Sequence, residues 1–492
     1  EEGDWVDSVE VVKQTPRRSV YRKPAHHSEA CPGIYLKHEH PVNPRDIIKL
    51  LFRNKTRMEF DCACRLYQAG IHTAEPIGWG RNGLHSVLAT CEVEGAVEFL
   101  PAWENVRNSP DRRTDFLGKL ACCLNSLVRK GVSHPDMHVG NILVNHGTEG
   151  WDFLLLDTFK CRVDKPMSPE LLRRCLGWIV CIVHELSDSE IANLLYRSFL
   201  STPVVRHKEV WNQVIRAQHT HIRLQGRGRR TRLFNTGSIC RNLRTDDGVW
   251  VVLNDQNIDD MAAAVTAHRD NRTCGELLKD DRKRRLSRVN VDGKRYVVKE
   301  FRSPGNLDVH LWRADARSWF NTYRLGRHYI PIARALGWLR ATSGKGYIVM
   351  EDAGEDCLYY GLENRPAVVR RRLMKAAGKL TAWLHLAAVH HRDLKCSNFM
   401  ITDTTAEHPM PLCLIDLDAV RFPRWLTGHS QCRNLLQFLE SLPDHVTYRE
   451  RLTYLVAYRR ASGISREKIS QCLEQAERRG FVVPFGARSP MR

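Results

Sequence analysis

The sequence lacks the features of several broad classes of protein. It has no run of about eighteen apolar residues, the length that a membrane-spanning helix needs; the longest apolar stretch, 176–183, runs directly into His184 and Glu185. No charged segment followed by an apolar one opens the chain, so no export signal is expected. The first residue is Glu rather than Met, which leaves room for a natural start further upstream. We therefore expect a cytoplasmic protein.

The sixteen cysteines lack the spacing of a metal site. Cys62 and Cys64 would point to different faces of a helix, and Cys122 and Cys123 are adjacent, so neither pair forms the CxxC of a zinc knuckle. In a chain without an export signal, scattered thiols are expected to be reduced core residues.

Charge of one sign is in excess, because the formal net charge is +19. Such a balance predicts attraction to polyanions, including nucleotide phosphates, anionic lipid and nucleic acid. No RNA-binding signature, paired zinc-finger spacing or aromatic stacking pattern accompanies the charge, so nucleic acid is not expected as a partner. Peripheral contact with an anionic membrane surface stays open.

One motif occurs twice. Residues 131–144 read GVSHPDMHVGNILV and residues 388–401 read AVHHRDLKCSNFMI, and both contain H-x-D-x-x-x-x-N. This is the spacing of the kinase catalytic loop, in which the Asp takes the proton of the attacking hydroxyl and the Asn holds a metal ion. It predicts two catalytic bases and two metal-binding amides: Asp136 and Asp393, Asn141 and Asn398.

Each copy has the expected kinase residues around it. Apolar stretches after the motif end in Asp157 and Asp416, the positions that bind metal in kinases. Upstream, the strand-like runs IYLK and YVVK end in Lys37 and Lys299, which we predict to bind the phosphates of ATP. Glu59, on a helical pattern after the first lysine, is the predicted ion-pair partner of Lys37.

Two protein-kinase features are missing. No G-x-G-x-x-G precedes either lysine strand; the turns at 15–19 and 281–287 are basic and would cover phosphates with side-chain charge and backbone N–H groups instead. Ser168-Pro169-Glu170 resembles the A-P-E that closes an activation segment, but Ser at N-cap and Pro at N1 better predict a helix start.

The pattern of predicted elements gives the fold class. Strand-like runs precede each lysine, and amphipathic helices at 116–128 and 373–386 lead into the two motifs. We expect an α+β protein with tandem protein-kinase-like folds, each with a small, mostly antiparallel β-rich N-lobe and a helical C-lobe. The periodic pattern breaks down between 201 and 245, which predicts domains at 1–225 and 226–492.

Specific segments resemble the bacterial lipopolysaccharide core kinases, the heptose and Kdo kinase family. They are HRDLKCSNFMI with LIDLDAVR, RSWFNTYRL and YVVKEF in the second half, and SHPDMHVGNILV with the helix from residue 55 in the first. The resemblance implies a small kinase-like fold that uses ATP and Mg²⁺ to phosphorylate a sugar hydroxyl of a lipid-linked glycan at the inner face of the cytoplasmic membrane. It implies the same roles for the residues named above, and places Asp418 near the metal.

The two copies depart from the family pattern in different ways. Ser318 stands where the first copy has Glu59, and Asp315, one turn earlier, is a candidate substitute as the partner of Lys299. In the first copy Pro135 precedes Asp136, where the second copy has Arg392 before Asp393. The second copy is the better match, but both retain the lysine, base and metal ligands. A pseudokinase scaffold and a serine/threonine protein kinase stay as alternatives, and the acceptor and oligomeric state stay open.

Overall fold

The computed structural model divides into two compact units, Glu1–Gln218 and His219–Arg492. Each unit is described by itself below. The residues that the structure describes are 9–15, 17–25, 33–41, 54–147, 150–166, 168–182, 185–186, 189–191, 193–194, 207–226, 231–270, 275–302, 313–363, 365–402 and 411–478.

The first unit begins with a five-stranded antiparallel sheet in the order β1-β2-β3-β5-β4. One helix, α1, follows the third strand. These elements are β1 (Glu10–Thr15), β2 (Arg18–Lys23), β3 (Ile34–Glu39), α1 (Lys55–Gln68), β4 (Pro76–Asn82) and β5 (His85–Cys91). The predicted lysine strand is thus β3, at the middle of the sheet.

The rest of the first unit is mainly helical. Its elements are β6 (Val97–Glu98), α2 (Phe99–Val106), α3 (Pro110–Arg129), β7 (Ile142–Gly147), β8 (Gly150–Leu155) and α4 (Pro169–Leu176). The buried residues of α3 recur at helical spacing, as the sequence predicts. Ser168 caps α4 by accepting a hydrogen bond from the backbone N–H of Leu171, which confirms a helix start in place of an A-P-E motif.

The second unit contains a seven-stranded antiparallel sheet in the order β11-β12-β13-β15-β14-β10-β9. Its first five strands repeat the arrangement of the first unit, and β10 and β9 extend the far edge. The elements are α5 (His207–Gly226), which begins before the division between the units, β9 (Cys240–Thr245), β10 (Gly248–Leu253), α6 (Ile258–Asp270), β11 (Gly275–Asp280), β12 (Arg284–Val291), β13 (Lys294–Phe301), α7 (Ala314–Arg327), β14 (Ala335–Ala341) and β15 (Gly346–Glu351).

Side-chain alternation in β13 shows which face of the sheet carries Lys299, the predicted phosphate lysine. Val298 packs with Val265 of α6 in one hydrophobic cluster, whereas Phe301 packs with Trp319 of α7 in another. Because successive side chains of a strand point to opposite faces, Lys299 lies on the same face as Phe301, turned away from α6.

The remainder of the second unit is helical apart from two short two-stranded sheets beside the predicted catalytic loop. Its elements are α8 (Leu358–Gly361), α9 (Ala367–Leu386), β16 (His390–His391), β17 (Phe399–Ile401), β18 (Leu412–Leu414), β19 (Val420–Arg421), α10 (Gly428–Glu440), α11 (Tyr448–Ser462) and α12 (Arg466–Arg478). Both units therefore have an antiparallel N-lobe and a helical C-lobe, and the predicted α+β, protein-kinase-like fold class is confirmed.

The periodic sequence pattern breaks down between residues 201 and 245, yet α5 covers residues 207–226 and contains the division between the units. The domains 1–225 and 226–492 stay a prediction. Cys432 and Cys472 form a disulfide, so the expectation of reduced thiols is wrong for this pair. Among the described residues, no helix is long and apolar enough to cross a membrane.

Candidate active site

A buried histidine fixes each catalytic loop. The backbone N–H of Asp136 donates to His134 Nδ1 at 3.2 Å, and that of Asp393 donates to His391 Nδ1 at 3.3 Å. Since Nδ1 accepts, the ring proton belongs on Nε2, and His134 Nε2 donates to the carbonyl of Leu156 at 2.9 Å. Burial lowers the pKa of both rings, that of His391 to about 4, so both stay neutral. The two histidines therefore position the loop through hydrogen bonds.

The asparagine of each motif folds back on the loop. Asn141 Nδ2 donates to the carbonyl oxygen of Asp136 at 2.9 Å, and Asn398 Nδ2 donates to that of Asp393 at 2.7 Å. An amide that uses its nitrogen in this way leaves its oxygen for a cation. The two predicted metal-binding amides therefore have matching orientations.

The two predicted bases differ in their neighbours. Lys395 Nζ lies 2.9 Å from Asp393 Oδ1, whereas His138 Nε2 lies 3.8 Å from Asp136 Oδ2. Both carboxylates are partly exposed, with 42% and 66% of the side chain accessible. Each can therefore be reached by a hydroxyl from solution.

In the first unit the predicted lysine contacts two carboxylates. Lys37 Nζ lies 2.8 Å from Glu59 Oε1 and 2.7 Å from Asp157 Oδ1. The predicted pair with Glu59 is thus present. Burial of Asp157 opposes its ionisation, but Lys37 and Arg18 outweigh burial and hold its pKa well below the usual range.

In the second unit a different carboxylate completes the set. Lys299 Nζ lies 2.5 Å from Asp416 Oδ1 and 3.0 Å from Asp418 Oδ1. Ser318 makes no contact with the lysine amine, and Asp315 instead pairs with Arg313 at 3.0 Å. The suggestion that Asp315 replaces Glu59 is therefore wrong, because Asp418 occupies that role. The repeated Asp in LIDLD was the signal for it.

Both metal-position aspartates have left-handed backbone conformations. The φ of Asp157 is 50° and that of Asp416 is 58°, values that residues other than glycine rarely adopt. Backbone of this kind persists where surrounding contacts hold it, and it clusters at functional sites. Here it turns each carboxylate toward its lysine.

Two arginines in the site were missed in the sequence. Arg18 Nη2 lies 3.1 Å from Asp157 Oδ1, and Arg284 lies 3.0 Å from Asp416 Oδ1 and 2.7 Å from Asp418 Oδ2. Both belong to the basic turns that the sequence predicts to cover phosphates. Their contacts with the aspartates could not be predicted from the sequence.

The donor set suits Mg²⁺ bound together with a nucleotide. Each unit offers an aspartate carboxylate and an asparagine oxygen, which are hard oxygen ligands, beside a lysine that can bind phosphate. In the described part of the chain no group of three or more His, Cys, Asp or Glu side chains could hold a metal ion. Mg²⁺ usually binds through one or two carboxylates plus substrate phosphates, and each unit offers such a carboxylate beside its lysine.

A model of a known protein family matches more than half of the chain. The model of the lipopolysaccharide kinase (Kdo/WaaP) family matches residues 1–168 and 355–458, more than half of the chain. The matched segments include Lys37, Asp136 and Asp157 of the first unit and Asp393 and Asp416 of the second. The lysine strand of the second unit falls outside them.

Among solved structures, the crystal structure of aminoglycoside-3'-phosphotransferase of type VIII is similar at 15% identity and a TM-score of 0.31. The similarity covers 43% of this chain and 97% of that one. No curated protein matches the chain at a significant level. By the match over more than half of its length, the chain belongs to the lipopolysaccharide kinase (Kdo/WaaP) family and is a kinase.

Proposed function

We propose that this kinase transfers the γ-phosphoryl group of ATP, with Mg²⁺, to a sugar hydroxyl of an anionic glycan such as a lipopolysaccharide core. The observation that carries the proposal is the pair of complete constellations, each with a lysine on the metal-position aspartate and an asparagine folded back on the catalytic loop. In both units the arrangement combines a hydroxyl-orienting carboxylate with ligands for a metal–phosphate complex.

In the second unit Asp393 would receive the acceptor hydroxyl and take its proton as phosphoryl transfer proceeds. Asn398 and Asp416 would hold Mg²⁺, which neutralises charge on the phosphates when bound. Lys299 would bind the phosphates, and Lys395, whose Nζ lies 2.9 Å from Asp393 Oδ1, would approach the transferred group. Asp136, Asn141, Asp157 and Lys37 would act in the same way in the first unit.

An anionic acceptor is favoured by cations beside the second catalytic loop. The backbone of His390 in β16 pairs with that of Arg421 in β19, and Arg392 follows β16. Burial lowers the pKa of Arg421, and the charges of Arg317 and Arg392 add to the effect. Within the described residues, neither Arg392 nor Arg421 forms a salt bridge with a carboxylate. The charge of Asp418 opposes this shift as the smallest of the causes, so Arg392 and Arg421 form a cluster of positive charge that attracts an anionic ligand.

The first unit carries fewer cations at the matching place. Ser133 bridges to Arg162 there, as His390 does to Arg421, and Pro135 stands where the second unit has Arg392. This difference supports the second unit as the one that binds a charged acceptor.

The decisive experiment compares Asp136→Asn, Asp393→Asn and the double variant. Transfer of labelled phosphate from ATP is measured on deacylated core glycans that carry phosphate or carboxylate groups, on neutral oligosaccharides and on a generic protein substrate. We expect transfer to the anionic glycans, loss of at least about 10³-fold in the double variant, and an unchanged circular dichroism spectrum. Undiminished transfer by the double variant would overturn the proposal.

The two alternatives have different outcomes in the same assay. A pseudokinase scaffold would bind ATP without transferring phosphate to any acceptor, and a protein kinase would label the protein substrate. The scaffold reading loses one of its supports, since the Ser318 substitution does not leave Lys299 without a second carboxylate.

A further inference from the structure

Each unit has an arginine at the same register relative to its phosphate lysine. Arg284 stands two residues before the residue of β12 that pairs with Lys299, and Arg18 stands two residues before the residue of β2 that pairs with Lys37. Directly paired residues share a face of a sheet, and so do residues two apart on one strand. Each arginine therefore projects from the same face as its lysine.

The backbone at both arginines is fixed in the same way. Asp281 Oδ1 accepts the backbone N–H of Arg284 at 2.8 Å, and Thr15 Oγ1 accepts that of Arg18 at 3.1 Å. In both turns the cap is the side chain three residues earlier. Where a glycine-rich loop would present backbone amides, these capped turns present a guanidinium group at the first residue of the second strand.

The guanidinium groups lie on the carboxylates that are the proposed metal ligands. Arg284 reaches Asp416 at 3.0 Å and Asp418 at 2.7 Å, and Arg18 reaches Asp157 at 3.1 Å. About a quarter of each arginine side chain is exposed, so both guanidinium groups can be reached from solvent.

Charge balance gives a reason for the contacts between arginine and aspartate to change when a nucleotide binds. In the second unit, Lys299 and Arg284 are matched by the two carboxylates of Asp416 and Asp418. In the proposed function Asp416 directs its oxygens to a cation, and Arg284 then loses one of its two partners. The phosphates at Lys299 supply new oxygens on the same face, and a guanidinium group binds phosphate through two parallel N–H groups.

We propose that Arg284 and Arg18 are phosphate-binding residues, which take the part of the missing glycine-rich loop by exchanging an aspartate for the nucleotide phosphates. The inference rests on the proposed function, because it needs a nucleotide at Lys299 and Lys37. It assigns a ligand class, the oligophosphate of a nucleotide, to one named residue in each basic turn, where the sequence predicted only that the turns cover phosphates.

The test measures ligand binding by calorimetry on the full chain, without an acceptor. Wild type, Arg18→Ala, Arg284→Ala and the double variant are titrated with ATP and Mg²⁺ and, separately, with adenosine. We expect each single variant to weaken one ATP site about tenfold or more, the double variant to weaken both, and adenosine binding to change less than about twofold. Arg284→Lys should restore ATP binding only in part, since a single ammonium group cannot form the two parallel contacts.

Arg372→Ala is the matched control, because it removes the same charge at an exposed position of α9, outside the basic turns. It should leave both ligands unaffected. Wild-type ATP affinity in the double variant would overturn the inference while leaving the proposed function intact. Joint loss of ATP and adenosine binding would also overturn it, since the arginines would then only brace the fold. Absence of ATP binding in wild type would contradict the proposed function itself.

Discussion

Lys299 Nζ lies 3.0 Å from Asp418 Oδ1, and this contact stands in the second unit where the first has the contact between Lys37 and Glu59. Glu59 belongs to helix α1, whereas Asp418 follows the metal-position aspartate by two residues. Each lysine amine thus has a second carboxylate partner. This partner comes from the N-lobe in the first unit and from the C-lobe in the second. Asp418 and Glu59 are both buried, so each amine has a partner shielded from water.

Asp418→Asn should therefore act on the second unit as Glu59→Gln acts on the first. Loss of one charge from a buried, hydrogen-bonded ion pair leaves an uncompensated group and costs about 3–5 kcal/mol. With the other unit silenced by Asp136→Asn or Asp393→Asn, we expect each change to reduce kcat/KM for ATP about 10²-fold. Steady-state rates with an acceptor that the labelled-phosphate assay identifies provide the measurement.

Ser318→Ala is the control for that comparison, because Ser318 occupies the helix position of Glu59 but makes no contact with Lys299. Its rate should stay within about twofold of the parent. A large loss in Ser318→Ala, or none in Asp418→Asn, would show that Asp418 does not serve as the second carboxylate.

Asn398→Ala should raise the Mg²⁺ concentration needed for half-maximal rate. The side chain bridges the backbone carbonyl of Asp393 and the proposed metal position, so its removal takes away one oxygen ligand and one loop contact. With Asp136→Asn silencing the first unit, we expect an increase of about tenfold or more in the half-saturating Mg²⁺ concentration. An unchanged Mg²⁺ dependence would argue against Asn398 as a ligand.

The second unit should lose stability as pH falls from about 6.5 toward 4. Burial lowers the pKa of His385 and of His391 to about 4, while the unfolded chain keeps a histidine pKa near 6.5. Between these values the unfolded state binds more protons, so the free energy of unfolding decreases with decreasing pH. The stabilising contribution is complete above about pH 6.5 and lost as the pH passes below the folded-state pKa.

Thermal unfolding at pH 7.5 and pH 5 measures this effect. We expect the melting temperature to fall by about 4 °C or more, and His385→Gln to reduce the difference between the two pH values. His445→Gln, at an exposed position of the same unit, should leave it unchanged. An equal pH dependence in both variants would contradict the assignment to buried histidines.

Gly378→Ala should destabilise the second unit although alanine favours helices. A Cβ built on Gly378 would lie 2.3 Å from the carbonyl oxygen of Tyr454, so α9 and α11 could not keep their present distance. Overpacking of this kind costs about 1–3 kcal/mol. Gly326→Ala, in α7 with nothing within 4 Å of the new carbon, should instead stabilise by up to about 1 kcal/mol. Chemical denaturation of both variants distinguishes the two effects.

Residues with fixed sequence spacing were predictable, and partners set by packing were not. The dipeptide Asp292-Gly293 is typical of a tight hairpin turn, and both residues have positive φ values. Lys37 and Glu59 followed from the spacing of strand and helix. The contact from Arg284 to Asp416 joins residues 132 apart, and no periodic pattern reports such a distance. The Cys432–Cys472 disulfide was missed for the same reason, since only the packing of α10 against α12 brings these thiols together.

The left-handed backbone at Asp157 and Asp416 limits how these sites can be probed. Asparagine has a shape close to that of aspartate and tolerates this region, whereas an alanine there would add backbone strain of about 1–2 kcal/mol to the loss of the carboxylate. An alanine scan would therefore overstate the chemical importance of both positions. Asparagine is the substitution that separates the charge of each aspartate from the shape of the chain that carries it.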